Sequence, residues 1–164
     1  MTRITLLTVL IVALSGCSPR PSSNELASQF RNNRSTFTML ATLACWVGNA
    51  QEKQTYRIGG SENEKAIIAL ADTVDIEGIK YRTVDGRCTL KMPVWNDEDG
   101  NTRTLISYRY NDPLQNQIDG IEQVDSASID EFIELPQQQD LSENTLIRPL
   151  SKHWNISVTY KKSV

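Results

Sequence analysis

Ile79-Lys80-Tyr81-Arg82-Thr83-Val84-Asp85-Gly86-Arg87-Cys88-Thr89-Leu90-Lys91-Met92 is the stretch whose reading decides the fold. β-Forming residues alternate with polar ones on both sides of Asp85-Gly86, and Asp-Gly is the pair a two-residue hairpin turn favours, because both central positions need positive φ. Two antiparallel strands follow from this. Cys88, Leu90, Met92 and Val94 form one face and Thr89 and Lys91 the other. Pro93 cannot donate to a sheet ladder, so it should mark a strand end, an edge or a bulge. Asn96 to Asn101 turns the chain again, and Ile106, Tyr108 and Tyr110 line one face of a third strand. Near the other end of the chain, Trp154, Ile156, Val158 and Tyr160 alternate with Asn155, Ser157 and Thr159 as a closing strand.

Upstream, the period changes from two to that of a helix. Leu26, Phe30, Asn33, Phe37, Leu40 and Ala44 recur at spacings of four and three, one stripe of an amphipathic helix from Glu25 to about Trp46. Asn24 is expected to cap it, with Glu25 favourable at the positive end of the helix dipole. Gly48-Asn49 would end it with a left-handed cap. Asn33 is the polar member of the stripe, expected to be a satisfied core amide that fixes helix register. Ser61 and Glu64 have capping-box spacing ahead of Ala66-Ile67-Ile68-Ala69-Leu70-Ala71, so a second helix from Glu62 to about Thr73 is expected; a short buried strand at Ile67 to Ala71 is the alternative. The fold class is therefore α+β: an N-terminal amphipathic helix and a second short helix packed on an antiparallel sheet of about four strands.

The beginning of the chain concerns location. Arg3 is followed by an apolar run from Ile4 to Leu14 and then by Ser15-Gly16-Cys17, the layout of a signal peptide. The run is too short to be a comfortable transmembrane helix, which needs about 20 apolar residues. Leu14-Ser15-Gly16-Cys17 closely resembles the lipobox of bacterial lipoproteins. That resemblance implies cleavage before Cys17, diacylglycerol on its thiol and an acyl chain such as palmitate on the new amine. Ser18 rather than Asp after the cysteine implies export to the outer membrane, facing the periplasm. Residues 1–16 thus read as a signal peptide, 17–23 as a lipidated tether and 24–164 as one globular domain, a length suited to a single core.

Three cysteines minus the acylated one leave Cys45 and Cys88. In an oxidising compartment an even remainder suggests a Cys45–Cys88 disulfide, the alternative being two separate buried thiols. The chain carries 17 Lys and Arg against 20 Asp and Glu, a net charge of −3, which offers no footprint for nucleic acid. Acidity is concentrated between residues 111 and 145, where nine carboxylates occur with no Lys or Arg, leaving the remaining mature chain net basic. Asp119, Glu122, Asp125, Asp130, Glu131 and Glu134 in this stretch are candidates for docking a basic protein partner. A solvated excursion, with a helical turn around Ile129 to Leu135, explains the same composition.

Catalytic parts are scarce. His153 is the sole histidine and reads as a surface or strand-end residue; no G-x-S-x-G, H-E-x-x-H or phosphate-cradling glycine loop accompanies it. Asn96-Asp97-Glu98-Asp99-Gly100-Asn101 fails as a calcium loop because Trp95 would hold the first ligand position, so no metal or cofactor is expected.

Phe30-x-x-Asn33-x-x-x-Phe37-x-x-Leu40, together with Arg148-Pro149-Leu150-x-x-x-Trp154 and Tyr160, looks like a recurrent group of small bacterial lipoproteins of uncharacterised function. The Tyr108-x-Tyr110 strand and the Asp-Pro pair after it are similar as well. This resemblance implies an α+β lipoprotein and no particular activity. The functional expectation is a non-catalytic binding or scaffold domain, tethered to the membrane through the lipid on Cys17. A lipoprotein inhibitor or immunity protein against an envelope-acting toxin is the alternative, and an envelope hydrolase the third.

Overall fold

Asp85 and Gly86 turn as expected: φ is 50° and 72°, and β2 (Ile79–Val84) and β3 (Arg87–Asp99) run antiparallel from them, with Val84 opposite Arg87. The computed structural model describes residues 19–112, 121–123, 130 and 143–162. Residues 1–16, read above as a signal peptide, and Cys17 lie outside them.

The hairpin is the centre of one arm of a seven-stranded sheet in the order β1-β2-β3-β4-β7-β6-β5. β1 is Thr55–Ile58, β4 Thr102–Tyr110, β5 Ile121–Gln123, β6 Glu143–Pro149 and β7 Trp154–Lys162. Neighbours are antiparallel except at the edge, where the three-residue β5 runs parallel to β6. The α+β class holds, and the sheet is wider than the four strands expected. β1 is too short to show a periodicity, and β6 opens on the polar run Glu143-Asn144-Thr145. Pro93 sits at a bulge, where the register between β3 and β4 shifts before Trp95. Beyond it the ladder continues through Asn96 to Asp99, so those residues are strand rather than loop, and the chain turns only at Gly100-Asn101.

The N-terminal helix is two helices, α1 (Ser23–Asn32) and α2 (Arg34–Ala50). Asn33 divides them. Its side-chain Nδ2 and its own backbone N–H both donate to the Gln29 carbonyl, each at 3.0 Å, and its backbone leaves helical geometry at φ −116°, ψ 28°. Asn is a poor interior helix residue because its amide competes for backbone partners in this way, so the half-buried Asn33 is a break rather than a core amide within one helix. The hydrophobic stripe survives it, since Leu26, Phe30, Phe37, Leu40 and Ala44 are all buried. Ser22, rather than Asn24, is the N-cap: its Oγ accepts from the Glu25 N–H at 3.2 Å, and the Glu25 carboxylate accepts from the Ser22 N–H at 2.7 Å. Nor does Gly48-Asn49 end α2, because both residues remain helical.

Glu62–Glu64 form a 3-10 turn that leads into α3 (Lys65–Asp72), the second helix expected from the Ser61–Glu64 spacing. The helices share one face of the sheet, α1 against β7 and α2 across β1 to β3. Between them Phe30, Phe37, Tyr108 and Trp154 form a cluster with ring centroids 4.6–5.5 Å apart. Cys45 on α2 and Cys88 on β3 are joined by a disulfide, with Cα atoms 5.7 Å apart, which fixes the helix to the hairpin.

Candidate functional site

Strand alternation sends every second side chain to the sheet face that α1, α2 and α3 leave uncovered. On β2, Ile79 and Tyr81 are buried toward the helices, while Lys80 and Arg82 are exposed on the opposite side. Register then decides which side chains on that opposite face meet. Arg57 stands directly across from Lys80, Lys80 from Lys91, and Lys91 from Arg109, a row of four cations over β1 to β4. At about 4.8 Å per strand the row covers about 14 Å. Further along β4, toward its start, Arg103 stands opposite Lys161. Like charges directly opposed in a sheet are destabilising, each pair on a scale of roughly 0.2–1 kcal/mol. Arg109 and Lys91 have partners of their own, so the cost of this opposition falls on Arg57 and Lys80.

The row borders an open cavity of about 700 Å³. Arg57, Lys80, Lys91, Arg103 and Lys161 contribute five cations to its lining, and Glu77 is its one carboxylate among the described residues. Arg103 is held by Asn96 at 2.8 Å and by the exposed carboxylate of Glu98 at 3.3 Å. Arg57 and Lys80 have no carboxylate partner among the described residues.

Toward β7 the same face is polar and buried. Arg109 is only 8% exposed; its Nε donates to Ser157 Oγ at 2.7 Å and its Nη1 pairs with Asp112 at 2.5 Å. Ser107, wholly buried and opposite the cavity-lining Pro93, has no partner for its hydroxyl among the described residues. The outward residues of the closing strand, Asn155, Ser157 and Thr159, are therefore as enclosed as its core face, where simple alternation would leave them in water.

Of the six carboxylates proposed for docking, the structure places two. Asp130 accepts from the backbone N–H of Ser23 at 2.9 Å, at the start of α1, which makes it part of the domain's own scaffold. Glu122 lies on β5. Asp119, Asp125, Glu131 and Glu134 lie outside the described residues, as does all of the turn suggested around Ile129 to Leu135 except Asp130. Cys45 and Cys88 are brought together and Cys17 is not described. His153 is exposed, with Nδ1 2.8 Å from Asn111 Oδ1, and its ring lies beside Tyr110.

The basic cavity is hidden along the chain because its cations are scattered from residue 57 to residue 161. Part of it could have been found: a two-residue turn at Asp85-Gly86 fixes Lys80 opposite Lys91 by counting outward. No family model, no characterised protein and no solved structure matches this chain.

Proposed function

We propose that this chain is a bacterial envelope lipoprotein, cleaved before Cys17, acylated there and presenting a non-catalytic binding domain to the periplasm from the outer membrane. The Cys45–Cys88 disulfide carries the reading, because a structural disulfide belongs to an oxidising compartment such as the periplasm. The lipobox-like Leu14-Ser15-Gly16-Cys17 supplies the anchor, and the resemblance to small bacterial lipoproteins agrees with it. With Ser22 capping α1, the tether from Cys17 to the domain is at most about 20 Å long even when extended. Among the described residues no helix is long and apolar enough to cross a membrane.

The binding surface in this proposal is the exposed β1–β2 end of the sheet face opposite the helices. Docking of a toxin through the acidic stretch has less to recommend it, because Asp112 and Asp130 from that stretch are already engaged with Arg109 and Ser23. Intact-mass measurement of protein extracted from membranes tests the anchor. It should show a chain that begins at Cys17 with added acyl mass, and Cys17→Ser should abolish both the processing and the membrane association. An unmodified soluble product from the natural sequence would refute the proposal.

A further inference from the structure

We propose that the cavity on the sheet face opposite α1, α2 and α3 binds an extended anion carrying two or more phosphate or carboxylate groups, laid across the strands along Arg57, Lys80 and Lys91. This deepens the reading of the chain as a binding domain and is independent of its anchor. Three observations converge. Among the described residues the lining holds five cations from five strands against one carboxylate. Register places Arg57, Lys80 and Lys91 in direct opposition, so that one linear ligand perpendicular to the strands meets each of them in turn. Finally, the row ends at Arg109, whose charge is already matched by Asp112, which confines the unmatched charge to the β1–β2 end.

Arg57 and Lys80 carry the proposal, because Lys91 and Lys161 already have contacts of their own. Lys supplies a point charge that any anionic oxygen satisfies, whereas the planar Arg fork matches the paired oxygens of a phosphate or carboxylate. A single small anion meets one or two of these groups. A chain of anionic groups meets all three, and it also screens the repulsion between the opposed Arg57 and Lys80.

Titration calorimetry of the full-length protein in detergent, at low ionic strength, separates the cases. Sodium tripolyphosphate is the probe and inorganic phosphate the single-group control. Tripolyphosphate should bind saturably, one per chain, about tenfold or more tighter than phosphate, as expected if each added charged contact is worth a typical charge-assisted hydrogen bond. Arg57→Gln and Lys80→Gln should each weaken it about tenfold. The same two variants should melt at or above the wild-type temperature in the absence of the anion, since each removes a repulsive pair. That combination separates a binding role from a structural one. Absence of saturable tripolyphosphate binding, equal affinity for the two probes, or unchanged affinity in both variants would overturn the proposal and leave the question of acylation untouched.

Discussion

The ring of Tyr81 occupies the space that a side chain at Gly48 would fill. A Cβ on Gly48 would fall against Cγ and Cδ2 of that ring. The tyrosine hydroxyl is fixed by the next residue of the helix, 2.6 Å from Asn49 Oδ1, and also lies 2.5 Å from Thr83 Oγ1. A helix-interior glycine, unfavourable by about 1 kcal/mol relative to alanine, therefore lets α2 lie against β2. Gly48→Ala should lower stability, because overpacking of about 1–3 kcal/mol exceeds the gain in helix propensity. Thermal melts check this, and in a Tyr81→Ala background the same substitution should become neutral or stabilising. An equal loss in both backgrounds would show that the ring is not the cause.

The disulfide joins α2 to β3 across 43 residues of chain and is the covalent counterpart of that contact. Reduction, or Cys45→Ser with Cys88→Ser, should cost about 4 kcal/mol on the loop-entropy account. Chemical denaturation with and without reductant measures it. Non-reducing peptide mapping should recover Cys45 linked to Cys88, and two freely alkylated thiols in the native protein would exclude the bond.

How much of this was legible in the sequence depended on whether a local rule was decisive. The Asp85-Gly86 turn and the core face of β7 each follow from one residue's chemistry or a strict period of two, whereas Pro93 limits its place to a strand end, an edge or a bulge and the register selects the bulge. The break at Asn33 was harder, because the apolar stripe continues through it and only the amide's competition for the Gln29 carbonyl reveals it. Ser22 was missed as a cap although Ser22-x-x-Glu25 has the same spacing as Ser61-x-x-Glu64. The basic cavity is a property of register between distant strands, which charge counts along the chain conceal.

Tyr108 ties α1 to the sheet. Its hydroxyl, in the fully buried Tyr108, lies 2.7 Å from the Leu26 carbonyl and 2.8 Å from Gln29 Oε1, and Gln29 in turn donates to the Val74 carbonyl and to Asp75. Burial, with a smaller contribution from the Asp75 charge, pushes the phenol well above the ordinary tyrosine range, so it stays a donor at any physiological pH. Tyr108→Phe should cost about 1–3 kcal/mol by removing the single donor that serves these two acceptors. Gln29→Ala should cost much less in that background than in the wild type, which a double-mutant cycle would read.

Glu64 gives the fold a pH-sensitive joint between β1 and α3. The buried carboxylate accepts from the backbone N–H groups of Gly59 at 2.6 Å, Gly60 at 2.8 Å and Ser61 at 3.3 Å, and from the Tyr56 hydroxyl at 2.8 Å. Burial alone would raise its pKa, but the donors from Gly59, Tyr56 and Ser61 outweigh it and hold the carboxyl below the ordinary 4.5. Because the folded value is the lower one, the folded state binds this proton less readily than the unfolded chain. The stabilisation is thus complete above the unfolded value and is lost as pH falls through the folded one. Glu64→Gln should cost about 1–3 kcal/mol at neutral pH, since hydrogen bonds to a charged acceptor are replaced by weaker ones and its NH2 group faces other donors. The difference from the wild type should shrink as pH drops below 4.5. Denaturation midpoints measured for both proteins from neutral to acidic pH test this. A gap that stays constant across that range would mean that the carboxylate's charge contributes nothing.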